Sequence, residues 1–232
     1  MRVLQQHAVP DVGGLSMPER RLLHMLTAQL TGQVLSTKDS LQSSIDMLWA
    51  HDQVRSELTE LAPLLHARVD HIHRDLSLMP ETPLKVHARY TRTEILAGMG
   101  IATGAKVAAW QTGVYEAKEA RAELLAFTLD KSSGGFSPTT RYRDYALSPS
   151  LIHWESQGVT REAGPTGQRY IHHERDGRSI LLFSRLRADE RAFWFLGPAT
   201  YRGHVGERPM AITWELHHDL PGDLYAAMAA VA

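Results

Sequence analysis

The segment RYIHHERDGRSILLFSRL, residues 169–186, carries the clearest local signal of the predicted fold. Asp176 and Gly177 stand between two strand-like runs, and Asp-Gly favours a type I′ hairpin turn because both central residues must accept a positive φ. The first run is rich in His, Tyr and Arg, whereas the second, SILLF, is apolar. The pattern predicts a β-hairpin that pairs a polar strand with a buried one.

Short strand-like runs of the same kind fill the second half of the chain. Clusters of Gly, Pro, Ser and Asp separate them, and such clusters mark turns. The runs are VAAWQTGVYEA (107–117), ELLAFTLD (123–130), SLIHWES (150–156), FWFLG (193–197) and AITWEL (211–216). Many short strands predict a mostly antiparallel β-barrel or curved sheet.

The first third of the chain predicts helices. Ser16 and Glu19 have the spacing of a capping box, with Pro18 in the first turn, and apolar residues then recur at helical spacing. A second helical region is expected from about residue 37 to 76, bent or divided at Pro63. Together these helices predict an N-terminal bundle.

The stretch MPETP at 79–83 is the expected domain boundary. It separates a helical connector region, residues 1–83, from a β-rich DNA-recognition domain, residues 84–232. The length of 232 residues and a hydrophobic share of 43% fit one large domain or two small ones. The fold class predicted is therefore α+β.

Composition also limits the classes of site. The chain contains no Cys, which excludes disulfides and thiolate metal sites. No apolar run reaches the roughly 18 to 20 residues that span a bilayer, and the first residues lack the order of a signal peptide. We expect a cytoplasmic protein that does not enter the membrane.

Charge is distributed unevenly along the chain. The formal net charge is only -1, but residues 131–187 carry nine Lys or Arg and five Asp or Glu. Residues 1–83 carry seven basic and ten acidic residues. Because nucleic-acid binding depends on a basic contact face, we expect any such face in the second half.

Candidate DNA-binding residues lie in that half. Arg neutralises phosphate, Tyr and Trp stack on bases, and Gln and His hydrogen-bond base edges. We expect Arg141, Arg143 and Arg169 to hold phosphates, Tyr145, His153, Trp154, Gln157 and Tyr170 to line a pocket, and His204 and Arg208 to project from a loop of the barrel rim. The alternative is that the aromatic rings are core residues and the arginines are solvated.

His153 and Trp154 cannot both face one pocket on a regular strand. Neighbouring residues of a strand point to opposite faces, so one of the two is expected in the core. Large aromatic residues are more often buried than exposed, which favours Trp154 as the core member and His153 as the residue that faces a ligand.

Other chemistry has weaker signals. His172 and Glu174 would share a face of a strand and suggest a metal ligand pair, but no stronger metal motif is present. No G-x-S-x-G elbow occurs and no nucleophile, base and orienting group can be assembled. We expect no catalytic residue, no metal and no cofactor.

Several blocks resemble a known family. They are YTRTEILAGMG at 90–100, FSPTTRYRDYALSPSLIHWESQ at 136–157, PTGQRYIHH at 165–173 and FLGPATYRGHVGERPMAITWEL at 195–216. In this order they resemble the domain of unknown function DUF3427, which is typically the C-terminal part of bacterial superfamily-2 helicases, often with a phospholipase-D-type nuclease domain. The helices at 16–78 resemble the connector of those proteins. The chain itself lacks a GxxxxGK[ST] loop, so it is either an excised C-terminal fragment or a stand-alone relative.

The resemblance implies a function in defence. A β-rich module attached to a helicase and a nuclease is expected to select DNA in a restriction or anti-phage system, with helicase and nuclease domains as partners in cis or in trans. The expected ligand is modified or otherwise marked DNA, and the expected fold is PUA/SRA-like by analogy. The alternatives are a protein-interaction domain that regulates a helicase core and a small metal-dependent nuclease.

Overall fold

The computed structural model describes residues 8–35, 40–101, 110, 112–130 and 144–230. The chain divides into two compact units. The helical unit comprises residues 1–84 and 92–109, and the sheet unit comprises residues 85–91 and 110–232.

The helical unit begins as predicted. The backbone N–H and the hydroxyl of Ser16 both donate to the Glu19 carboxylate, at 2.9 and 2.6 Å, and Gly32 ends the first helix with φ of +72°. The elements of this unit are a short 3-10 helix (Val12–Gly14), α1 (Met17–Thr31), α2 (Leu41–Trp49), α3 (Asp52–His66), β1 (Arg74–Asp75) and α4 (Arg92–Gly98).

The second helical region, predicted from about residue 37 to 76 and bent or divided at Pro63, is helical only to His66, and its break lies after Trp49. The chain leaves the helix after Trp49 and re-enters it at Asp52, whose carboxylate in the first turn favours a new helix start. Pro63 lies inside α3, which ends three residues later at His66, so the proline shortens the helix instead of dividing it.

Apolar side chains of α1 and α2 form the core of the helical unit. Leu23 packs with Ile45, Leu48 and Trp49. The close approach of α4 to the same unit depends on Gly98, because a Cβ there would lie 2.9 Å from the Leu84 side chain. By contrast, α3 contains no buried residue.

The sheet unit is built on a single large sheet. Its strand order is β4-β5-β8-β9-β10-β7-β6, with β3 paired to β9. All of these pairs are antiparallel except β5 with β8, which is parallel. The elements are β2 (Lys85–Val86), β3 (Arg89–Thr91), β4 (Val114–Ala117), β5 (Ala122–Asp130), β6 (Tyr145–Ala146), β7 (Leu151–Glu155), α5 (Pro165–Ile171), β8 (Ser179–Arg187), β9 (Ala192–Val205), β10 (Ala211–Leu216) and α6 (Gly222–Ala229).

The sheet formed by the described strands is open, so the barrel alternative is wrong and the mostly antiparallel sheet is confirmed. A barrel buries its inner face by closing the sheet upon itself. Here helices cover that face instead, since Tyr170 of α5 and Leu224 and Met228 of α6 belong to the core of the sheet unit.

The polar partner of the predicted hairpin is a helix. Residues 165–171 form α5, with Pro165 in its first turn. A proline there is a signal for the start of a helix. The prediction gave more weight to the strand-forming residues of RYIHHE. A turn is present and Gly177 has φ of +60°, but Asp176 does not have a positive φ, so the predicted type I′ turn is wrong. The turn that is present joins a helical segment to β8 and not two strands.

The run FWFLG continues into a strand of 14 residues, β9. Gly197 does not end it, because its φ of +106° accommodates a shift in register between β8 and β9. The loop predicted to carry His204 and Arg208 is correspondingly shorter, and His204 and Val205 still belong to β9.

Candidate functional site

Burial differs between the two ends of the sheet. In β8 the residues Ile180–Ser184 are all buried, so this part of the sheet is covered on both faces. In β7 and β10 burial alternates along the strand, and one face stays partly accessible. We call this the open face; it carries Leu151, His153 and Glu155 of β7 and Ala211, Thr213 and Glu215 of β10.

The opposite face of β7 and β10 carries the aromatic core. Trp154 is 3% exposed, and its ring centroid lies 5.7 Å from that of Tyr170 and 6.4 Å from that of Trp214. The core assignment of Trp154 is confirmed. Tyr170 is also buried, and burial raises its pKa, because the ionised phenolate would lose its hydration. Trp154 and Tyr170 therefore do not line a surface pocket, which corrects their prediction as ligand-facing residues.

Four residues lie side by side across the open face. Tyr145 of β6 is opposite His153 of β7, His153 is opposite Thr213 of β10, and Thr213 is opposite Gly203 of β9. We call this set the open row. The rings of Tyr145 and His153 are stacked, with centroids 4.7 Å apart and planes at 26°.

The open row combines rings with unfilled space. Among the described residues, no atom lies within 4 Å of the position that a Cβ at Gly203 would occupy. Thr213, which pairs with His153 on the side away from Tyr145, is small and half-buried. Two stacked rings beside small residues form a surface on which a further planar group can stack.

Two loops at one end of the open face are joined by hydrogen bonds, and His204 contacts one of them. We call residues 156–164 and 206–210 the rim loops. The Arg208 N–H donates to the Thr160 carbonyl at 3.1 Å, and the Glu162 N–H donates to the Glu207 carboxylate at 3.0 Å.

His204 fastens β9 to the first rim loop. Its Nδ1 lies 2.6 Å from the Tyr201 hydroxyl, and its Nε2 lies 3.6 Å from the Glu162 carboxylate. These contacts engage both ring nitrogens. The predicted loop position of His204 is thus corrected, since the residue lies in β9 and its ring faces protein groups.

The rim loops adjoin the open row. At the ends of β7, β10 and β9, Ala211 pairs with both Glu155 and Val205. Each of these residues lies two positions along its strand from a member of the open row, which is a distance of about 7 Å. Gln157 follows β7 in the first rim loop and is half-buried, and Arg208 in the second rim loop is exposed. Of the predicted site residues, Tyr145, His153, Gln157 and Arg208 thus lie at this end of the sheet with half-buried or exposed side chains, and His204 lies there with its ring against protein groups.

Arg169 belongs to a different cluster. Its guanidinium donates to Glu123 at 2.7 Å, and Arg178 donates to the same Glu123 oxygen at 3.0 Å. Both arginines also lie within 3.5 Å of the Glu116 carboxylate. The expectation that Arg169 holds a phosphate is corrected, because its donors are directed into this ion-pair cluster of Glu116, Glu123, Arg169 and Arg178.

The ion-pair cluster is anchored by a buried carboxylate. The Glu123 side chain is 0% exposed, against 26% for Arg169 and 15% for Arg178. Burial raises the pKa of Glu123, and the two guanidinium groups oppose that rise by stabilising the ionised form. The cluster fixes α5 against β5, since Arg169 lies on the helix and Glu123 on the strand.

His173 links the end of α5 to a bulge in β9. Its Nε2 accepts from the Tyr201 N–H at 3.1 Å, so its Nδ1 is the protonated nitrogen and donates to the Arg178 carbonyl at 3.2 Å. The Tyr201 N–H is available for this bond because the register of β9 shifts beside Trp214. The ring is buried, and burial lowers the pKa of His173.

We expect acid to destabilise the sheet unit through His173. Its folded pKa is lowered, so its contribution is complete above the unfolded pKa of about 6.5 and declines as the pH falls below that value, by up to about 1.4 kcal/mol per pH unit. His173→Gln keeps an acceptor for Tyr201, and urea unfolding at pH 7.5 and 5.5 should show a smaller pH effect than in the parent. His172→Gln is the control, and an unchanged pH effect in His173→Gln would contradict the assignment. Burial lowers the pKa of His24 in the helical unit too, so a residual slope is expected.

Some predicted residues lie elsewhere and some open-face residues were missed. Arg141 and Arg143 are outside the described residues. Thr213, Gly203 and Glu155 were not predicted, although the alternation of AITWEL and SLIHWES placed Thr213 and Glu155 on polar faces. Thr213, Gly203 and Glu155 lie near one another only because β7, β10 and β9 are neighbouring strands, and the sequence pattern does not specify this strand order.

His172 and Glu174 do not share a strand face, because the segment leaves α5 at Ile171 and turns. Among residues 8–35, 40–101, 110, 112–130 and 144–230, no group of three or more His, Asp or Glu side chains has the arrangement of a metal site. Within the same ranges, no helix combines the length and apolar character needed to cross a membrane.

Comparison with known families gives one match along most of the β-rich part. The model of the family described as Domain of unknown function (DUF3427) matches residues 84–228. No curated protein sequence matches the chain.

Solved structures similar to the chain have low identity. The 5-hydroxymethylcytosine-specific restriction enzyme AbaSI has a TM-score of 0.32 and 12% identity over 77% of this chain and 55% of its own. KRYPTONITE in complex with mCHG DNA and SAH has a TM-score of 0.38 and 13% identity over 89% and 43%. Arabidopsis thaliana SUVH6 in complex with SAM has a TM-score of 0.37 and 11% identity over 89% and 39%. The chain thus spans about half or less of these structures.

Proposed function

The chain belongs to the DUF3427 family. We propose that its sheet unit is a non-catalytic DNA-recognition module that reads modified or otherwise marked DNA. The module would serve a helicase-nuclease restriction or anti-phage system. The helicase and nuclease parts would act in cis or in trans, because the chain has no nucleotide-binding loop motif of its own.

The open row is the observation that carries this proposal. A stacked pair of rings, half-buried and beside small residues, offers a π-face to a base that has left its stack. A structural ring pair would be expected in the core, where Trp154 and Tyr170 are. Tyr145 and His153 instead lie on the open face, and both are half-buried.

Polar groups on this face support the same function. For Tyr145, His153, Thr213 and Glu155, the described part of the chain supplies no hydrogen bond or ion pair to the side-chain polar atoms. Elsewhere in the unit comparable groups are paired, as in the cluster around Glu123. Hydroxyl, imidazole and carboxylate groups with spare capacity are those that read base edges.

Phosphate contacts would come from the rim loops and from the basic segment. Arg161 and Arg208 are exposed on neighbouring loops, which the bond from Arg208 to Thr160 holds together. The excess of basic residues between 131 and 187, which includes Arg141 and Arg143, adds positive charge to the same half of the chain.

A second candidate function is docking on a helicase core, and α3 favours it. This helix has no buried residue, and Leu61, Leu64 and Leu65 are 45%, 62% and 55% exposed. Exposed leucines on one helix are typical of an interaction surface. This function concerns the helical unit and is compatible with DNA reading by the sheet unit.

We expect the full chain to bind DNA in a salt-sensitive manner and Tyr145→Ala to weaken binding by about tenfold or more. Loss of a stacking ring costs about 1–3 kcal/mol per base. Fluorescence anisotropy with labelled single strands and duplexes, each in unmodified and base-modified form and at two salt concentrations, measures the effect.

The matched control is Tyr115→Ala. Tyr115 is a half-buried tyrosine of β4, at the opposite edge of the sheet. The substitution Tyr115→Ala removes the same side-chain volume as Tyr145→Ala but does not alter the open row. DNA recognition by this face would be contradicted if Tyr145→Ala bound every probe as the parent does, or if both variants lost affinity equally.

A further inference from the structure

We infer that Glu155 selects the base, and that the base it selects carries an exocyclic amino group. This inference rests on the proposed function and names the chemistry that the open face would recognise. Glu155 is a positioned acceptor beside the stacked rings.

The backbone fixes the position of Glu155. It pairs with Ala211 in the ladder between β7 and β10, and its N–H donates to the carboxylate of Asp144 at 3.0 Å. Asp144 is only 4% exposed and immediately precedes Tyr145, so one buried carboxylate holds Glu155 close to the open row. A rigid support of this kind is what a specificity-determining residue requires.

The strand period places Glu155 and His153 on the same face. Residues two apart on a strand lie about 7 Å from each other, roughly the width of a base. A base stacked over His153 would therefore extend its edge towards Glu155. Ala211, which pairs with Glu155, is small, and in the row of His153 a Cβ at Gly203 would meet no atom of the described residues within 4 Å.

The Glu155 carboxylate has no ion-pair partner among the described residues. The other carboxylate of the open face differs, because Glu215 forms an ion pair with Arg202. An ionised carboxylate only accepts hydrogen bonds. Its ligand must consequently present a donor at the base edge.

Donors distinguish the bases. Cytosine has an amino group at N4 and adenine at N6, whereas uracil and hypoxanthine have carbonyl oxygens at the same positions. A carbonyl oxygen facing a carboxylate gains no hydrogen bond and leaves both acceptors unsatisfied. Cytosine should therefore be preferred to uracil, and adenine to hypoxanthine, in otherwise identical strands.

The test measures anisotropy of the full chain with labelled single strands that differ in one central base. We expect the parent to prefer cytosine to uracil, and adenine to hypoxanthine, by about tenfold or more. Glu155→Gln should reduce each preference to within about twofold while binding persists, because an amide can both donate and accept. Glu215→Gln is the matched control on the same face and should retain the parental preference.

The outcomes separate the two levels of the proposal. If the parent binds no strand, the proposed function fails and this inference with it. If the parent binds strands but treats amino and carbonyl bases alike, or if Glu155→Gln keeps the parental preference, only the role of Glu155 is refuted. Glu155→Asp keeps the carboxylate, and it should retain the direction of the preference if Glu155→Gln fails to fold.

Discussion

Trp154→Ala is expected to lower the free energy of unfolding by about 3–5 kcal/mol, the usual cost of removing a large buried aromatic side chain. The Trp154 ring is 3% exposed and contacts Tyr170 and Trp214. Its removal would leave a cavity where β7, β10 and α5 meet. Urea unfolding of the full chain, followed by fluorescence and by far-UV circular dichroism, measures the loss.

His153→Ala is the matched control, since its side chain lies next to Trp154 in sequence but on the open face. It should cost under about 1 kcal/mol, because the half-buried ring loses one cross-strand stacking contact. Equal losses in the two variants would mean that β7 does not separate a core face from an open face, and the open row would then lose its structural basis.

Glu123→Ala is expected to destabilise the sheet unit by about 3–5 kcal/mol. The substitution removes the buried acceptor of two guanidinium groups and leaves Arg169 and Arg178 with Glu116 alone. Two partly buried guanidinium groups would then share one carboxylate, and poorly compensated buried charge is more costly than the ion pair is stabilising. Urea unfolding gives the loss directly.

Two further variants test the cause. Glu119→Ala removes an exposed carboxylate from the turn before β5 and should have little effect. Glu123→Leu combined with Arg169→Leu should recover part of the stability, because an apolar pair of similar size no longer buries an unpaired charge. A Glu123→Ala variant as stable as the parent would show that the ion-pair cluster does not hold α5 on the sheet.

Local sequence signals predicted the secondary structure correctly where that structure depends only on the residues of one segment. The capping box at Ser16 and Glu19 predicted the start of α1, and alternation in SLIHWES placed Trp154 in the core and His153 on the other face. α5 was missed because Tyr170 and Ile171 favour strands, and a single proline before them is a weaker signal than β-rich composition.

The candidate site could be predicted only in part, because it is assembled from strands that are not consecutive. Tyr145 and His153 were identified by residue type and lie on neighbouring strands. Thr213 and Gly203 lie beside them because the strands follow the order β6-β7-β10-β9 in the sheet. The periodicity of the sequence does not predict that order. Trp154, Tyr170 and Arg169 had suitable chemistry, but core packing and the buried Glu123 determine where they point.

The parallel pairing of β5 with β8 has a consequence for synthesis on the ribosome. Ala122 pairs with Ser179, 57 residues later, so the hairpin of β4 and β5 emerges long before its partner. At about 5–20 residues per second, the apolar β5 keeps an unpaired edge for several seconds. An exposed strand edge is a template for aggregation. Nascent chains should therefore depend on chaperones or low expression temperature until β8 has left the exit tunnel.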